Sequence, residues 1–144
     1  MRRGALAAAL VLVLIVAACG GGGGGGGKAD AAVTFTPDPL RPGPVTWTVT
    51  VTNDTSSILH LTFPTGQHAD VTLSQNGNVV YQWSRGIAFT QIVSDEDVKP
   101  GGSAAYTLEG RLDIAPGTYQ LHAVVNASNH MDLGVSRDVT VRSG

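Results

Sequence analysis

This sequence has few charged residues, only two lysines and only one cysteine. Each of these low counts argues against a class of function. Charged residues make up 14% of the 144 residues, against about 25% in an ordinary soluble domain. Nine Lys and Arg stand against eleven Asp and Glu, so we expect no basic surface and no nucleic-acid partner. A single cysteine permits neither an intrachain disulfide nor a cysteine-based metal cluster.

Arg2 and Arg3 precede an apolar run over residues 6–16. This run is shorter than the ~20 residues that a membrane-spanning helix needs, and the flanking cations are typical of a secretory signal peptide. It ends in the sequence VAAC at 16–19, which resembles the lipobox of bacterial lipoproteins. The resemblance implies cleavage before Cys19 and lipidation of its thiol, with a membrane as partner. The alternatives are an ordinary signal peptide with an incidental cysteine, or an anchor helix that is cut poorly.

Eight consecutive glycines, Gly20 to Gly27, follow the cysteine. Such a run forms no core and behaves as a flexible coil, with a root-mean-square reach of about 16 Å. We therefore predict a signal peptide at 1–18, a lipidated cysteine with a polyglycine tether at 19–29, and one domain at 30–144. The predicted location is the cell envelope, either at the outer membrane or at the outer face of the plasma membrane.

The domain alternates apolar and polar residues with a period of two. Valine and tryptophan at 45, 47, 49 and 51 alternate with threonine at 46, 48, 50 and 52, the pattern of a half-buried strand. The same alternation predicts that Val79, Tyr81 and Trp83 form one inward set. Asn76-Gly77 is a strong hairpin signal between two such runs. We predict an all-β, immunoglobulin-like antiparallel sandwich without a substantial helix, with an up-and-down barrel as the alternative.

Catalytic and metal-binding patterns find little support. No G-x-S-x-G nucleophile context occurs, so we expect a protein that is not an enzyme. His68 with Asp70, and His130 with Asp132, offer two ligands each where a closed metal site needs about four. The acidic residues 95–97 are interpreted as a solvated loop cluster rather than a calcium site. We expect neither a metal nor a cofactor.

A series of motifs then resembles a known family. The strings are VTN at 51–53, LTFPTGQHAD at 61–70, VYQWSRG at 80–86, FTQ at 89–91, VKPG at 98–101 and PGTY at 116–119. Together they resemble the intracellular proteinase inhibitor family known as BsuPI, with its patterns F-x-S-G-Q-x-x-D, W-x-W-S-x-G-x-x-F-x-Q and L-x-P-G. The likeness covers residues 45–119. This chain departs from the family in having Ala69 where an aromatic residue is frequent, and in carrying an export signal.

The resemblance implies a non-covalent proteinase inhibitor with a serine proteinase as its partner. Residues 64–70 and 84–91 would form loops at one end of the sandwich that contact the proteinase, with Arg85 as an exposed anchor. The structural interpretation of the same motifs is that their aromatic residues pack and their polar residues fix turns. A second functional hypothesis is an envelope scaffold that uses an exposed edge strand and inhibits nothing. The candidate partner-binding residues are Gln67, His68, Asp70, Ser84, Arg85, Phe89 and Gln91.

Overall fold

A computed structural model of the protein describes residues 27–144, which contain nine β-strands and no helix. The predicted signal peptide, Cys19 and most of the tether lie outside these described residues. The strands are β1 (Ala29–Thr36), β2 (Gly43–Asn53), β3 (Leu59–Phe63), β4 (Ala69–Gln75), β5 (Asn78–Gln82), β6 (Ser94–Val98), β7 (Ser103–Leu112), β8 (Gly117–Val125) and β9 (Gly134–Val141).

Two larger sheets form the layers of the sandwich. One has the strand order β1-β2-β7 and the other β5-β4-β8-β9, while β3 and β6 form a separate pair. Every pairing between these strands is antiparallel. Across the layers, Trp47 Nε1 donates to the Tyr81 hydroxyl at 3.2 Å, and Arg137 of β9 donates to the Val33 carbonyl of β1 at 3.3 Å. The predicted antiparallel sandwich is confirmed, and the barrel is not the architecture adopted.

The core follows the period-two alternation. On β2 the apolar residues are buried and the threonines between them are half-buried, because successive side chains of a strand point to opposite faces. Phe35 meets Trp47 edge to face at 5.8 Å between ring centroids, a favourable aromatic geometry. The largest fully buried side chains are Trp47, Phe63, Leu40, Leu61, Leu73, Leu112 and Leu121.

The predicted hairpin at Asn76-Gly77 is confirmed. Gln75 pairs with Asn78, and the two residues between them have φ values of 54° and 81°. Positive φ at both central positions is what a type I′ turn requires, and asparagine followed by glycine meets that requirement at little steric cost.

The predicted inward set on β5 is wrong at its first member. Val79 is 49% exposed, whereas Tyr81 and Trp83 are partly buried against the core. β5 is an edge strand, and its register against β4 shifts between Leu73 and Ser74. A bulge of this kind breaks the strict alternation of faces, so a pattern that continues in the sequence does not continue in space.

The prediction that the acidic residues 95–97 form a loop is also wrong. They lie in β6, which pairs with β3. Asp95 accepts a hydrogen bond from the Thr62 hydroxyl at 2.8 Å, and Asp97 lies 2.6 Å from His60 Nδ1. These cross-strand contacts compensate for the low intrinsic β-propensity of aspartate.

A pair of matched substitutions tests which valines of β4 and β5 face the core. Val71 is fully buried and Val79 is 49% exposed. We expect Val71→Ala to lower the free energy of unfolding by about 2 kcal/mol, because buried methyl groups are lost. Val79→Ala should change it by less than about 0.5 kcal/mol. Denaturant unfolding followed by circular dichroism measures both, and equal losses would contradict the exposed position of Val79.

Candidate functional site

Two loops that carry the family-like motifs lie against each other. The first, residues 64–68, joins β3 to β4, and the second, residues 83–93, joins β5 to β6. Gly66 N donates to the Thr90 carbonyl at 2.8 Å. These segments were predicted to form one contact surface, and the structure brings them together. Ala69 and Asp70, assigned to the first loop in the prediction, belong to β4.

Both loops lie along the edge of β7 that faces away from β2, not at one end of the sandwich as predicted. Trp83 Nε1 donates to the Glu109 carbonyl of β7 at 3.0 Å. Gly110 favours this approach, because a Cβ at that position would lie only 3.1 Å from both Trp83 Cδ1 and the Tyr81 hydroxyl. Sequence periodicity does not show which strand edge remains free. The predicted position of the loops at one end of the sandwich is therefore wrong.

Asp70 fixes the start of the second loop from inside the domain. It is 8% exposed, and its Oδ1 accepts from Val71 N at 2.9 Å and Ser84 N at 3.1 Å. Its Oδ2 accepts from Gln82 Nε2 at 2.8 Å and from the Ser84 hydroxyl at 2.6 Å. A buried carboxylate is tolerated when its oxygens are satisfied in this way. Asp70 and Ser84 therefore shape the loop from within.

Aromatic side chains line the space between the loops and β7. The His68 ring stacks on Phe63 with centroids 4.2 Å apart, and Trp83 lies 5.8 Å from Phe89. His68, Trp83 and Phe89 border a cavity of about 300 Å³ together with Gln67 and residues 105–108 of β7. Burial and a hydrogen bond to Glu96 raise the pKa of Tyr106, so its hydroxyl stays protonated well into the alkaline range. His68 and Phe89 thus serve as packing residues that also border an open cavity.

The outer face of the second loop is exposed and largely apolar. Residues 87–93 form no regular structure, and Ile87, Ile92 and Val93 are 42%, 66% and 64% exposed. Arg85 is exposed as predicted. Gln91 is exposed too, and its amide donates to the Phe89 carbonyl at 3.2 Å. Ile92 and Val93 were missed, although two adjacent β-branched residues outside any alternating run were a usable signal.

Two features are absent from residues 27–144. This part of the chain contains no group of three or more His, Cys, Asp or Glu side chains placed to hold a metal ion. No helix with the length and apolar character needed to cross a bilayer occurs in it.

Residues 31–130 match the BsuPI family, described as intracellular proteinase inhibitors. The chain belongs to this family. The BsuPI match contains both loops, the Asp70 hydrogen bonds and the cavity-bordering part of β7. It extends beyond the 45–119 stretch in which the resemblance was recognised, and it therefore includes most of β1 as well.

One similar solved structure supports the fold. The sporulation control protein Spo0M of Bacillus subtilis has a TM-score of 0.50 and 13% identity over 82% of this chain and 51% of its own. This chain thus spans about half the length of Spo0M. A CARDB domain from Pyrococcus furiosus, solved in complex with di-metal ions, has a TM-score of 0.44 and 16% identity over 81% and 89% of the two chains. No curated protein matches this BsuPI chain.

Replacing Asp70 tests its role in holding the second loop. Asp70→Ala leaves the donors of Gln82 and Ser84 without their acceptor, and we expect the free energy of unfolding to fall by about 3 kcal/mol. Asp138→Ala, at an exposed position of β9, is the matched control and should cost less than about 0.5 kcal/mol. Thermal and urea unfolding measure both variants. Equal stabilities would show that the Asp70 contacts do not hold the loop.

Proposed function

We propose that this chain is a lipid-anchored inhibitor of a serine proteinase at the cell envelope, and that it acts by non-covalent occlusion through the two loops. Membership of the BsuPI family supports a proteinase as the partner. The family description is that of an inhibitor, which favours binding over catalysis as the activity of this chain. The proposal adds the class of proteinase, the contact surface and the membrane attachment.

The observation that carries the proposal is the exposed, pre-shaped second loop. Its first residues are held by Asp70 through Ser84. Its middle is held by Phe89 against Trp83 and by the Thr90 carbonyl, which accepts from Gly66 N. A segment fixed in this way loses little conformational freedom when it binds, which favours affinity.

The exposed groups of this loop suit a protein partner. Ile87, Ile92 and Val93 offer apolar side chains that a proteinase cleft would bury. Arg85 stands beside Gly86, whose φ of 82° turns the chain at that point. Arginine is enriched among the residues that dominate protein interfaces, so Arg85 is the proposed anchor.

The position of the first strand is compatible with a membrane tether. β1 begins at Ala29, which pairs with Asn53, and Ser103 lies at the same end of the sheet, paired with Thr52. Trp83 contacts Gly110, seven residues further along β7, or about 23 Å at the usual rise of a strand. A polyglycine tether of about 16 Å reach would add to that separation. A domain anchored through Cys19 would thus hold the start of the second loop away from the membrane, whereas the first loop, beside residues 105–108, lies closer to the anchored end.

Titration of the full chain against subtilisin tests the inhibitory function. We expect saturable inhibition while the inhibitor remains uncut, with residual activity and fragment formation followed in the same samples. Arg85→Ala should raise the inhibition constant at least tenfold, the loss typical of an interface anchor of about 2 kcal/mol. Arg41→Ala, also an exposed arginine but outside both loops, should leave it unchanged.

Three results would argue against this assignment. Equal inhibition by Arg85→Ala and the unmodified chain would remove Arg85 from the interface. Digestion of the unmodified chain without inhibition would contradict inhibition of this class of proteinase. A stable complex with an envelope protein that is not a proteinase would favour the scaffold hypothesis instead.

Membrane attachment is tested separately through Cys19. In bacteria producing the full chain, we expect the unmodified protein in the membrane fraction, with incorporation of a labelled fatty acid. Cys19→Ser removes the thiol that would carry the diacylglyceryl group, so this variant should lose the label. Label incorporation that persists in Cys19→Ser would contradict lipidation at this residue.

A further inference from the structure

β7 has a backbone edge that its own sheet does not use. Asn53 N donates to the Gly102 carbonyl at 2.9 Å on the side of β2. Trp83 Nε1 reaches the Glu109 carbonyl from the opposite side. Backbone groups alternate in direction along an antiparallel strand. The N–H and C=O groups of Ala105 and Thr107 therefore point the same way as those of Glu109, away from β2.

Nothing in residues 27–144 pairs with this stretch. β7 pairs with β2 alone among the described strands, and both Ala105 and Thr107 are exposed. Unpaired donors and acceptors in a row at a sheet edge form a template for another extended backbone.

The contacts at each end limit this free edge to residues 105–107. At the far end, the Trp83 side chain occupies the Glu109 carbonyl. At the near end, a tight turn joins β6 to β7, with Gly102 N donating to the Lys99 carbonyl at 2.8 Å. This turn closes the near end of the stretch. The stretch between accommodates about three residues of a partner strand.

The cavity between the loops lies directly beside the free edge. It holds about 300 Å³ and is bordered by Gln67, His68, Trp83 and Phe89 together with residues 105–108. The cavity is open to solvent, and Gln67, His68 and Thr107 make its lining polar as well as aromatic, so an aromatic side chain of a partner would fit there. Alternate side chains entering pockets while the backbone pairs is the usual pattern of peptide recognition by strand addition.

We infer that the free β7 edge at residues 105–107 takes up a short extended segment of the partner by β-strand addition, with an aromatic side chain of that segment in the cavity beside His68, Trp83 and Phe89. The inference rests on the proposed function for the identity of the partner, a proteinase. It adds a second contact to that of the exposed second loop, because the cavity lies between that loop and β7.

A synthetic peptide tests the edge independently of any proteinase. The probe is the blocked heptapeptide Ac-Lys-Thr-Thr-Phe-Thr-Thr-Lys-NH2, and the control peptide has glycine in place of phenylalanine. With the full chain we expect the phenylalanine peptide to slow hydrogen exchange at the Ala105 and Thr107 amides at least tenfold, as followed by NMR. The control peptide should have little effect, and exchange at Ser103 should not change.

Proline substitution tests the same edge in the proteinase complex. Thr107→Pro removes an N–H that points away from β2, so the sheet keeps its hydrogen bonds, as proline at an edge position allows. Inhibition of subtilisin should weaken at least tenfold. Ser103→Pro is the matched control, since its N–H points the same way but lies outside the cavity, and inhibition should be unchanged.

The outcomes separate this inference from the proposed function. Inhibition that survives Thr107→Pro, with no amide protection by the peptide, would overturn strand addition and leave the proposed function standing. Peptide protection without inhibition by the unmodified chain would support the edge and contradict the function. If Thr107→Pro fails to fold, amide exchange in the unmodified chain decides. Protection that appears without peptide and grows with protein concentration would mean that a second copy occupies the edge, which also overturns the inference.

Discussion

The buried carboxylate of Asp70 is the constraint on which the candidate site depends. Burying this charge is costly unless its oxygens are hydrogen-bonded, and donors from Val71, Gln82 and Ser84 meet that requirement. Those contacts fix where β5 ends and in which direction the second loop starts. The loop then reaches back to Gly66 and lies along β7. A polar contact inside the domain thus determines the outer surface offered to a partner.

Local patterns in the sequence predicted individual strands and turns well. They predicted less well which elements lie beside each other. Alternation on β2 and the Asn76-Gly77 turn correspond to the structure because each depends on a few consecutive residues. The predictions for Val79 and for the acidic residues of β6 were wrong. The exposure of Val79 depends on a register shift between β4 and β5, and the structure of β6 depends on its pairing with β3. The position of the loops beside β7, and the exposure of Ile92 and Val93, depend likewise on which strand edge remains free.

Family membership and geometry contribute different parts of the functional account. The BsuPI match supplies a proteinase as the kind of partner. The geometry shows loops that are held in place by hydrogen bonds and aromatic packing, which suits the proposed non-covalent binding. The family is described as intracellular, whereas we propose a location at the cell envelope for this chain because of the lipobox-like sequence at 16–19. Tethering would concentrate such a domain at a membrane and would leave its binding chemistry unaltered.

Mapping the interface on the full chain tests the central claim most directly. Backbone hydrogen exchange, read by mass spectrometry, is compared with and without a catalytically inactive subtilisin whose active-site serine is replaced by alanine. The account predicts that protection is concentrated in residues 64–68, 83–93 and 105–107. Protection confined to the outer face of β8 and β9, with exchange in the two loops unaltered, would contradict it.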